Sequence, residues 1–406
     1  MTKTVVVLGA GQAGLPIAHY LLRSTAKKHA DIRVVLVTPH DAFYWKIASV
    51  RFAIPGSIPE DKYLFPLSEK FASYPKSQFE LVVGAAETLD PSTNTISVRL
   101  NGDGKTVTNG SELRNIQYHT LIIATGSRYA DSMPWKEVGT TAQTKAAIAS
   151  LQASIRDAKS IVVAGAGVTG VEFAGELGSA YGKSCEKEIT LVGSDASLPL
   201  DSRVAKGARE AAKKELAKLN VRYVGGAKIT SPASGGAVNR SGKQQGLTLT
   251  NPDGTTRTLT ADLVVPTYGV HPNTEFAPAS MLEVTSRRIL QGADLRAKGH
   301  DNIFVVGDAG HLQPCQAAYA DAQARHLMVQ FEAYFSGVKD LKTYKFDPNQ
   351  KQFGITLGRD RATGQMGNWV PFSILIWFFK GRYLGTNNSE NYAKGLVNAM
   401  GGAWPK

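Results

Sequence analysis

The chain has 406 residues and carries 46 Lys and Arg against 34 Asp and Glu, a formal net charge of +12 at pH 7. This length exceeds what a single hydrophobic core supports and predicts two or three domains. The two cysteines, Cys185 and Cys315, form no CxxC pattern, which argues against a disulfide framework, a zinc site and a redox-active disulfide. We therefore expect no metal site.

The excess of positive charge favours anionic partners, among them nucleotides and an acidic membrane surface. A basic solvated surface with no dedicated partner is an equal alternative. No basic run with interleaved aromatic residues indicates a nucleic-acid surface, so we expect no specific nucleic-acid partner. The oligomeric state is left open.

The first predicted unit is strand, glycine turn, helix and strand. The run "TVVVL" leads into "GAGQAG", a helical pattern follows, and "DIRVVLVT" supplies the next strand. Within the turn, Gly9 permits the tight bend, Gly11 lets the backbone approach a pyrophosphate, and Gly14 allows the helix to pack closely on the strand. The helix start adds free N–H groups and a positive dipole end, so the unit is typical of a dinucleotide site.

The same order recurs from residue 160 onward, in "SIVVAGAGVTGVEFAGELG" followed by the strand "EITLVG". Gly165, Gly167 and Gly170 repeat the three glycine roles. One such loop is weak evidence, but two loops, each inside a complete βαβ unit, predict two dinucleotide sites.

The acidic residue that usually ends the second strand and binds a ribose is absent from both units. Thr38 occupies its place in the first unit, and Gly193 and Ser194 occupy it in the second. The sequence therefore leaves the choice between NADH and NADPH open, with Ser194 as a candidate phosphate contact.

The predicted fold class is α/β, with two Rossmann-like three-layer dinucleotide-binding domains and a small α+β C-terminal module. We assign residues 1–135 and 271–338 to a discontinuous first dinucleotide-binding domain, which residues 136–270, the second such domain, interrupt. Residues 339–406 form the C-terminal module, facing a membrane or an electron acceptor. Its longest apolar run, "PFSILIWFF", is far shorter than the ~20 residues of a membrane-spanning helix.

Two further motifs, "LIIATGS" at 121–127 and "NIFVVGDAG" at 302–310, complete a combination that resembles the two-dinucleotide-binding flavoprotein oxidoreductases. The resemblance implies that FAD occupies the first unit and NAD(P)H the second, and that hydride passes from nicotinamide to flavin. It assigns to FAD the residues Gly9, Gly11, Gly14, Thr38, Arg51, Ala124, Thr125, Gly126, Asp308 and Gln316. It assigns to NAD(P)H the residues Gly165, Gly167, Gly170, Ser194 and Gly269.

The resemblance also implies roles for individual side chains. Asp308 accepts a hydrogen bond from a ribityl hydroxyl, with a plain helix N-cap as the alternative. Glu172 reaches the junction of nicotinamide and flavin as a catalytic residue, and Lys46 pairs with it there. Glu176, one turn along the same helix, forms a structural ion pair. The alternative is that both glutamates are solvated helix residues.

The tail "ITLGRDRATGQMG…FFKGRYLG" narrows the resemblance to the apoptosis-inducing-factor-like and ferroptosis-suppressor-like NAD(P)H:quinone oxidoreductases. This resemblance implies a quinone or another small-molecule acceptor, and weak peripheral membrane contact through residues 369–382. An equal alternative packs those aromatic residues into a core. A redox-sensing signalling flavoprotein with slow turnover and a flavin tailoring enzyme are the competing functions.

We expect a cytoplasmic protein, with a peripheral position on an organelle or lipid-droplet surface as the alternative. The first strand begins at residue 3, which leaves no room for a cleaved targeting peptide.

Overall fold

The computed structural model describes residues 2–101, 112–231, 245–346 and 352–405. The strands are β1 Lys3–Leu8, β2 Ile32–Thr38, β3 Ala42–Tyr44, β4 Leu64–Pro66, β5 Phe79–Asp90, β6 Thr95–Leu100, β7 Leu113–Gln117, β8 Thr120–Ile123, β9 Ser127–Tyr129, β10 Ser160–Ala164, β11 Glu188–Val192, β12 Val221–Val224, β13 Lys228–Ser231, β14 Gln245–Thr250, β15 Thr256–Ala261, β16 Leu263–Pro266, β17 Val270–Pro272, β18 Ile303–Val305, β19 Gln352–Thr356 and β20 Ala362–Met366.

The α-helices are α1 Gly14–Tyr20, α2 Ala26–Lys28, α3 Ser49–Phe52, α4 Leu67–Lys70, α5 Thr141–Asp157, α6 Val168–Leu177, α7 Lys206–Lys218, α8 Ala317–Phe335, α9 Ser373–Ile376 and α10 Ser389–Ala393. Single π-helical turns continue α1, α6 and α9 at Leu21–Thr25, Gly178–Gly182 and Trp377–Gly381. Short 3-10 turns lie at Lys46–Ala48, Glu60–Lys62, Ala130–Ser132, Ala279–Met281 and Gly307–Ala309.

The larger sheet of the described residues has the order β18-β8-β1-β2-β5-β6-β7. Its first five strands are parallel, and β5, β6 and β7 pair antiparallel. The centre of β1 is a run of valines that is buried on both faces, as parallel strands covered by helices require. Strand β1 lies between β8 and β2, so the glycine loop after β1 opens at the point where the strand order reverses, which is where such sheets bind ligands.

The second parallel sheet has the order β12-β11-β10-β16. Between β12 and β16 the chain forms the antiparallel sheet β13-β14-β15. Strand β18 then rejoins the first sheet next to β8, after the whole second unit. This topology confirms the predicted α/β fold class, in which the first dinucleotide unit is interrupted by the second.

The C-terminal module packs against both units. Its hairpin β19–β20 meets α6 so closely that a Cβ on Gly175 would lie 2.8 Å from the backbone nitrogen of Gly358. At the other unit, α10 reaches α1, where the carbonyl of Ala393 lies 3.1 Å from the ring of His19. No helix in the described ranges is long and apolar enough to cross a membrane.

His19 is a buried titratable group at this contact. Its ring stacks on Phe71 at 4.0 Å between centroids, and Nδ1 lies 2.9 Å from the hydroxyl of Tyr74. Burial, with a smaller effect from the nearby Arg23 guanidinium, lowers the pKa of His19 to about 3, against the weaker raising effect of the Ala393 carbonyl. The folded protein therefore holds this imidazole neutral.

We predict that His19 makes the fold acid-sensitive. Because the folded-state pKa lies below the unfolded value, the unfolded chain binds an extra proton at lower pH, and stability falls as the pH falls through 6.5 toward 3. Between pH 6.5 and 4.5 this contribution amounts to roughly 2 to 3 kcal/mol. Urea unfolding at both pH values should show a smaller difference for His19→Gln than for the wild type.

The exposed His271 provides the control for this measurement. His271→Gln should keep the wild-type pH dependence. An equal pH dependence in His19→Gln and the wild type would contradict the assignment.

Candidate functional site

A large cavity opens at the carboxyl ends of β1, β2 and β8 and continues along the C-terminal module. Its volume of about 1560 Å³ exceeds the ~300–1,000 Å³ typical of a site for one small molecule. Of the residues predicted from the sequence, it brings together Gly9, Gly11, Thr38, Lys46, Ala124, Thr125, Gly126, Glu172, Asp308 and Gln316. Gly14, Arg51 and the residues assigned to NAD(P)H lie outside its wall.

The first glycine loop has no room for side chains. Gly9 has a φ of +99°, and a Cβ there would lie 2.4 Å from the carbonyl oxygen of Ala124. A Cβ on Gly14 would lie 1.9 Å from the carbonyl oxygen of Gly9, so the helix start packs directly on the loop. Among the described residues, Oε1 of the buried Gln12 has no hydrogen-bond partner. The bare backbone of the loop lines the cavity and fits a dinucleotide phosphate. The unpaired amide oxygen of Gln12 is an acceptor and fits a donor such as a hydroxyl group.

Lys46 stands beside this loop but does not pair with Glu172, so the predicted ion pair is wrong. Its Nζ lies 2.9 Å and 3.0 Å from the carboxylate oxygens of Glu137, and 3.3 Å from where a Cβ on Gly11 would lie. Burial raises the pKa of Glu137, but the charges of Lys46 and His40 lower it by more than burial raises it. The net pKa lies below its usual value, and the carboxyl is held ionised. Lys46 therefore lies beside the first glycine loop with its charge paired to Glu137, and sequence patterns gave no indication of Glu137.

Asp308 also lines the cavity, in the 3-10 turn after β18. It accepts a hydrogen bond from Ser127 Oγ at 2.7 Å and forms an ion pair with Lys136, whose Nζ also contacts Ser127 Oγ at 2.6 Å. Burial raises the pKa of Asp308, but Lys136 and Ser127 outweigh it, and the net pKa is low. Since α8 begins only at Ala317, with Gln316 as its N-cap residue, the plain N-cap alternative for Asp308 is wrong.

Glu172 is buried in the cavity wall, at the start of α6. Its Oε1 lies 2.9 Å from Nζ of Lys380 and accepts the backbone N–H of Thr356 at 3.0 Å. Lys380 also donates to the carbonyl of Gly354. Both partners come from the C-terminal module, and the solvated-residue alternative for Glu172 is wrong because only 6% of its surface is exposed.

Arg51 does not reach the cavity, which corrects the predicted cofactor contact. Its guanidinium donates to both carboxylate oxygens of the buried Glu176 at 2.8 to 3.1 Å, and to the carbonyl of Arg382 at 3.1 Å. Glu176 thus has the structural ion pair that the sequence predicted for it. This pair fastens α3 of the first unit to α6 of the second.

The second glycine loop repeats the first. Gly165 has a φ of +106°, and a Cβ on Gly170 would lie 1.8 Å from the carbonyl oxygen of Gly165, while nothing lies within 4 Å of a Cβ on Gly167. Ser194 is exposed just after β11, and Gly269, with a φ of +77°, lies between β16 and β17. The helix that follows this loop carries Glu172 into the large cavity, so the two predicted dinucleotide sites adjoin at that residue.

Asp321 in α8 is a further buried carboxyl group in the cavity wall, which the sequence analysis did not single out. Its oxygens accept hydrogen bonds from the Tyr392 hydroxyl at 3.0 Å, from Gln12 Nε2 at 3.3 Å and from the Ala399 N–H at 2.8 Å. Burial raises the pKa of Asp321 to about 6, against these hydrogen bonds, which lower it. The carboxyl joins the first glycine loop to the C-terminal segment.

The far end of the cavity is apolar and open to solvent. Phe372 is 77% exposed and Phe379 is 72% exposed, whereas Trp377 is half-buried and donates to the carbonyl of Arg359 at 2.6 Å. The alternative that packs this stretch into a core is therefore wrong for most of its residues. The exposed or partly exposed side chains that line this end are Trp369, Leu375, Ile376, Phe378, Phe379 and Tyr383.

The chain is similar to known proteins both in sequence and in structure. Residues 3–324 match the model of the pyridine nucleotide-disulphide oxidoreductase family. The oxidoreductase ptaL of Pestalotiopsis fici is 34% identical, over 92% of this chain and 94% of its own. Ferroptosis suppressor protein 1 of Xenopus tropicalis is 27% identical, over 93% of this chain and 92% of its own.

Solved structures show the same fold. The sulfide:quinone oxidoreductase of Aquifex aeolicus superposes with a TM-score of 0.72 at 16% identity, covering 96% of this chain and 92% of its own. NDH2 of Plasmodium falciparum, solved with NADH, superposes with a TM-score of 0.70 at 11% identity, over 97% and 99%. The predictions of an oxidoreductase, and of FAD and NAD(P)H as its cofactors, are confirmed at the level of the family. The chain belongs to the pyridine nucleotide-disulphide oxidoreductase family.

Proposed function

We propose that this oxidoreductase passes electrons from NAD(P)H, through FAD, to a quinone. The observation that carries the proposal is the continuity of the large cavity, which runs from the first glycine loop to the exposed aromatic end of the C-terminal module. A cofactor at the glycine loop occupies one end of this space, and the apolar end suits a flat, hydrophobic acceptor. Two structural neighbours support the same assignment: one is a sulfide:quinone oxidoreductase, and the other, NDH2, was solved with NADH bound.

The protein's own groups bind the cofactor and orient it toward the donor. The first glycine loop, with Lys46 beside it, would hold the cofactor phosphates, and Asp308 would accept a hydrogen bond from a cofactor hydroxyl. Glu172 lines the cavity where the two proposed nucleotide sites adjoin. Bound FAD supplies the chemistry of accepting a hydride and returning electrons singly or in pairs, which no side chain here provides. Both cysteines are free thiols, so the proposed path of the electrons does not pass through a disulfide between them.

The acceptor end also supports weak membrane contact through residues 369–382, as the sequence predicted. The exposed apolar side chains of this stretch lie beside Arg382, whose guanidinium stacks on Tyr383 at 4.9 Å. An apolar surface with a cationic rim binds the interface of an anionic bilayer, where prenylated quinones dissolve. We propose a cytoplasmic protein that makes weak peripheral contact with the surface of an organelle or lipid droplet.

Lys380 is the cation that pairs with the buried Glu172, and its removal tests the positioning of that carboxylate. Lys380→Met leaves the buried Glu172 carboxylate without its cation, so the carboxylate loses the group that orients it. We expect flavin reduction by NAD(P)H to slow at least about tenfold, the loss expected for a misplaced orienting group. Anaerobic stopped-flow absorbance measures the rate, and Lys380→Arg should restore part of it.

Lys394 provides the matched control, because it pairs with Glu390 on the surface helix α10. Lys394→Met should reduce at the wild-type rate. A wild-type rate of flavin reduction in Lys380→Met would remove the positioning role of Lys380.

A change at the apolar end of the cavity separates the two half-reactions. Phe378→Ser with Phe379→Ser removes apolar surface from the acceptor end only. We expect unchanged flavin reduction by NAD(P)H, about tenfold slower reoxidation by a short-chain ubiquinone, and weaker binding to anionic liposomes. Val284→Ser, at a side chain that is 86% exposed and lies outside the cavity lining, is the control for lost surface hydrophobicity.

Fast reduction of the wild type without reoxidation by ubiquinone would contradict the quinone assignment and favour the slow-turnover sensor. Equal reoxidation in the aromatic double variant and the wild type would place the acceptor elsewhere.

A further inference from the structure

The loop after β11 forms one edge of the second nucleotide site. A Cβ on Gly193 would lie 2.6 Å from Cβ of Ala166, and the backbone N–H of Leu200 donates to the carbonyl of Ala166 at 2.8 Å. Ala166 is part of the second glycine loop, so residues 193–200 lie directly against it. In such units the end of this strand faces the ribose that carries the 2′-hydroxyl or the 2′-phosphate.

The single acidic residue of this loop, Asp195, does not face the nucleotide site as an open acceptor. Its Oδ1 accepts the backbone N–H groups of Ser197 at 2.9 Å and Leu198 at 3.0 Å, and Oδ2 pairs with Arg209 at 2.5 Å. These hydrogen bonds, led by that of Leu198, hold the pKa of Asp195 well below its usual range. The carboxylate shapes the loop, and its charge is compensated by Arg209.

Two cations beside the loop are held only by neutral groups. Nζ of Lys213 donates to the carbonyl of Ser197 at 2.8 Å, and Arg257 donates to the carbonyl of Gly225 at 3.3 Å. Gly225 packs on the loop, since its Cβ would lie 2.4 Å from the carbonyl oxygen of Asp195. Both side chains are exposed, and in the described part of the chain no carboxylate forms an ion pair with either.

We propose that the second site selects NADPH over NADH, with the exposed Ser194 hydroxyl and the Lys213 ammonium binding the 2′-phosphate. Three features support this choice: the missing strand-end acid, the internally paired Asp195, and the uncompensated positive charge at the loop. A carboxylate in this place would repel the 2′-phosphate, whereas a hydroxyl and an ammonium both donate to it. Arg257 adds positive potential from the far side of the loop. The inference rests on the proposed role of NAD(P)H as donor and is independent of the acceptor.

The test is calorimetric binding of adenosine 2′,5′-bisphosphate and of 5′-AMP to the FAD-loaded full chain. We expect the bisphosphate to bind at least about tenfold more tightly, as one charge-assisted phosphate contact provides. Lys213→Met should lose most of that difference. Lys218→Met, on the same helix but paired with Glu215, should keep it.

Ser194→Asp carries the complementary expectation. It introduces the carboxylate that binds a 2′-hydroxyl and repels a 2′-phosphate, so the ratio of kcat/KM for NADPH to that for NADH should fall at least about tenfold. Equal or tighter binding of 5′-AMP by the wild type, or an unchanged preference in Lys213→Met, would overturn the inference. The binding assay contains no quinone, so a failure of the quinone proposal leaves its outcome unaffected and is recognised separately.

Discussion

The architecture depends on one buried carboxylate, Glu172, at the meeting point of all three parts of the chain. A buried charge without a partner destabilises a fold by several kcal/mol, about 3 to 5 in measured cases, so Glu172 requires a cation. Lys380 of the C-terminal module provides this cation. Its Nζ lies 2.9 Å from Oε1 of Glu172, although the two residues are 208 positions apart in the sequence. One turn later on the same helix, Glu176 takes Arg51 from the first unit. These two pairs fix how the first unit, the second unit and the module sit around the cavity.

The positions of the two nucleotide sites follow from the same arrangement. The first glycine loop opens into the cavity, and the helix after the second loop delivers Glu172 to its wall. In the proposed function, a donor on the second unit and a cofactor on the first therefore adjoin, which is what a hydride transfer requires. The apolar end of the cavity lies on the C-terminal module, so the proposed acceptor site is formed by a different part of the chain from the donor site.

The sequence predicted whatever is encoded locally. The glycine spacings, the valine-rich strands and the helical patterns beside them are properties of short segments, and both glycine loops and the α/β fold class were found from them. The family resemblance, and not these local patterns, assigned Asp308 and Gln316 to the cofactor, and both line the cavity. Prediction from the sequence failed on side chains whose partners are distant. Glu137, not Glu172, pairs with Lys46, and Arg51 is taken by Glu176. Nothing in the periodicity around Lys136, Glu137, Asp321 or Lys380 indicates their partners, because each contact depends on tertiary packing.

The most direct test of the account is a crystal structure of the FAD-loaded protein with a short-chain ubiquinone bound. The account predicts the quinone ring inside the large cavity, between the cofactor and the exposed aromatic side chains around Phe379, with Glu172 still paired to Lys380. A quinone bound only on the outer surface, or a cofactor that fills the cavity up to Phe379, would contradict the assignment of an acceptor site there.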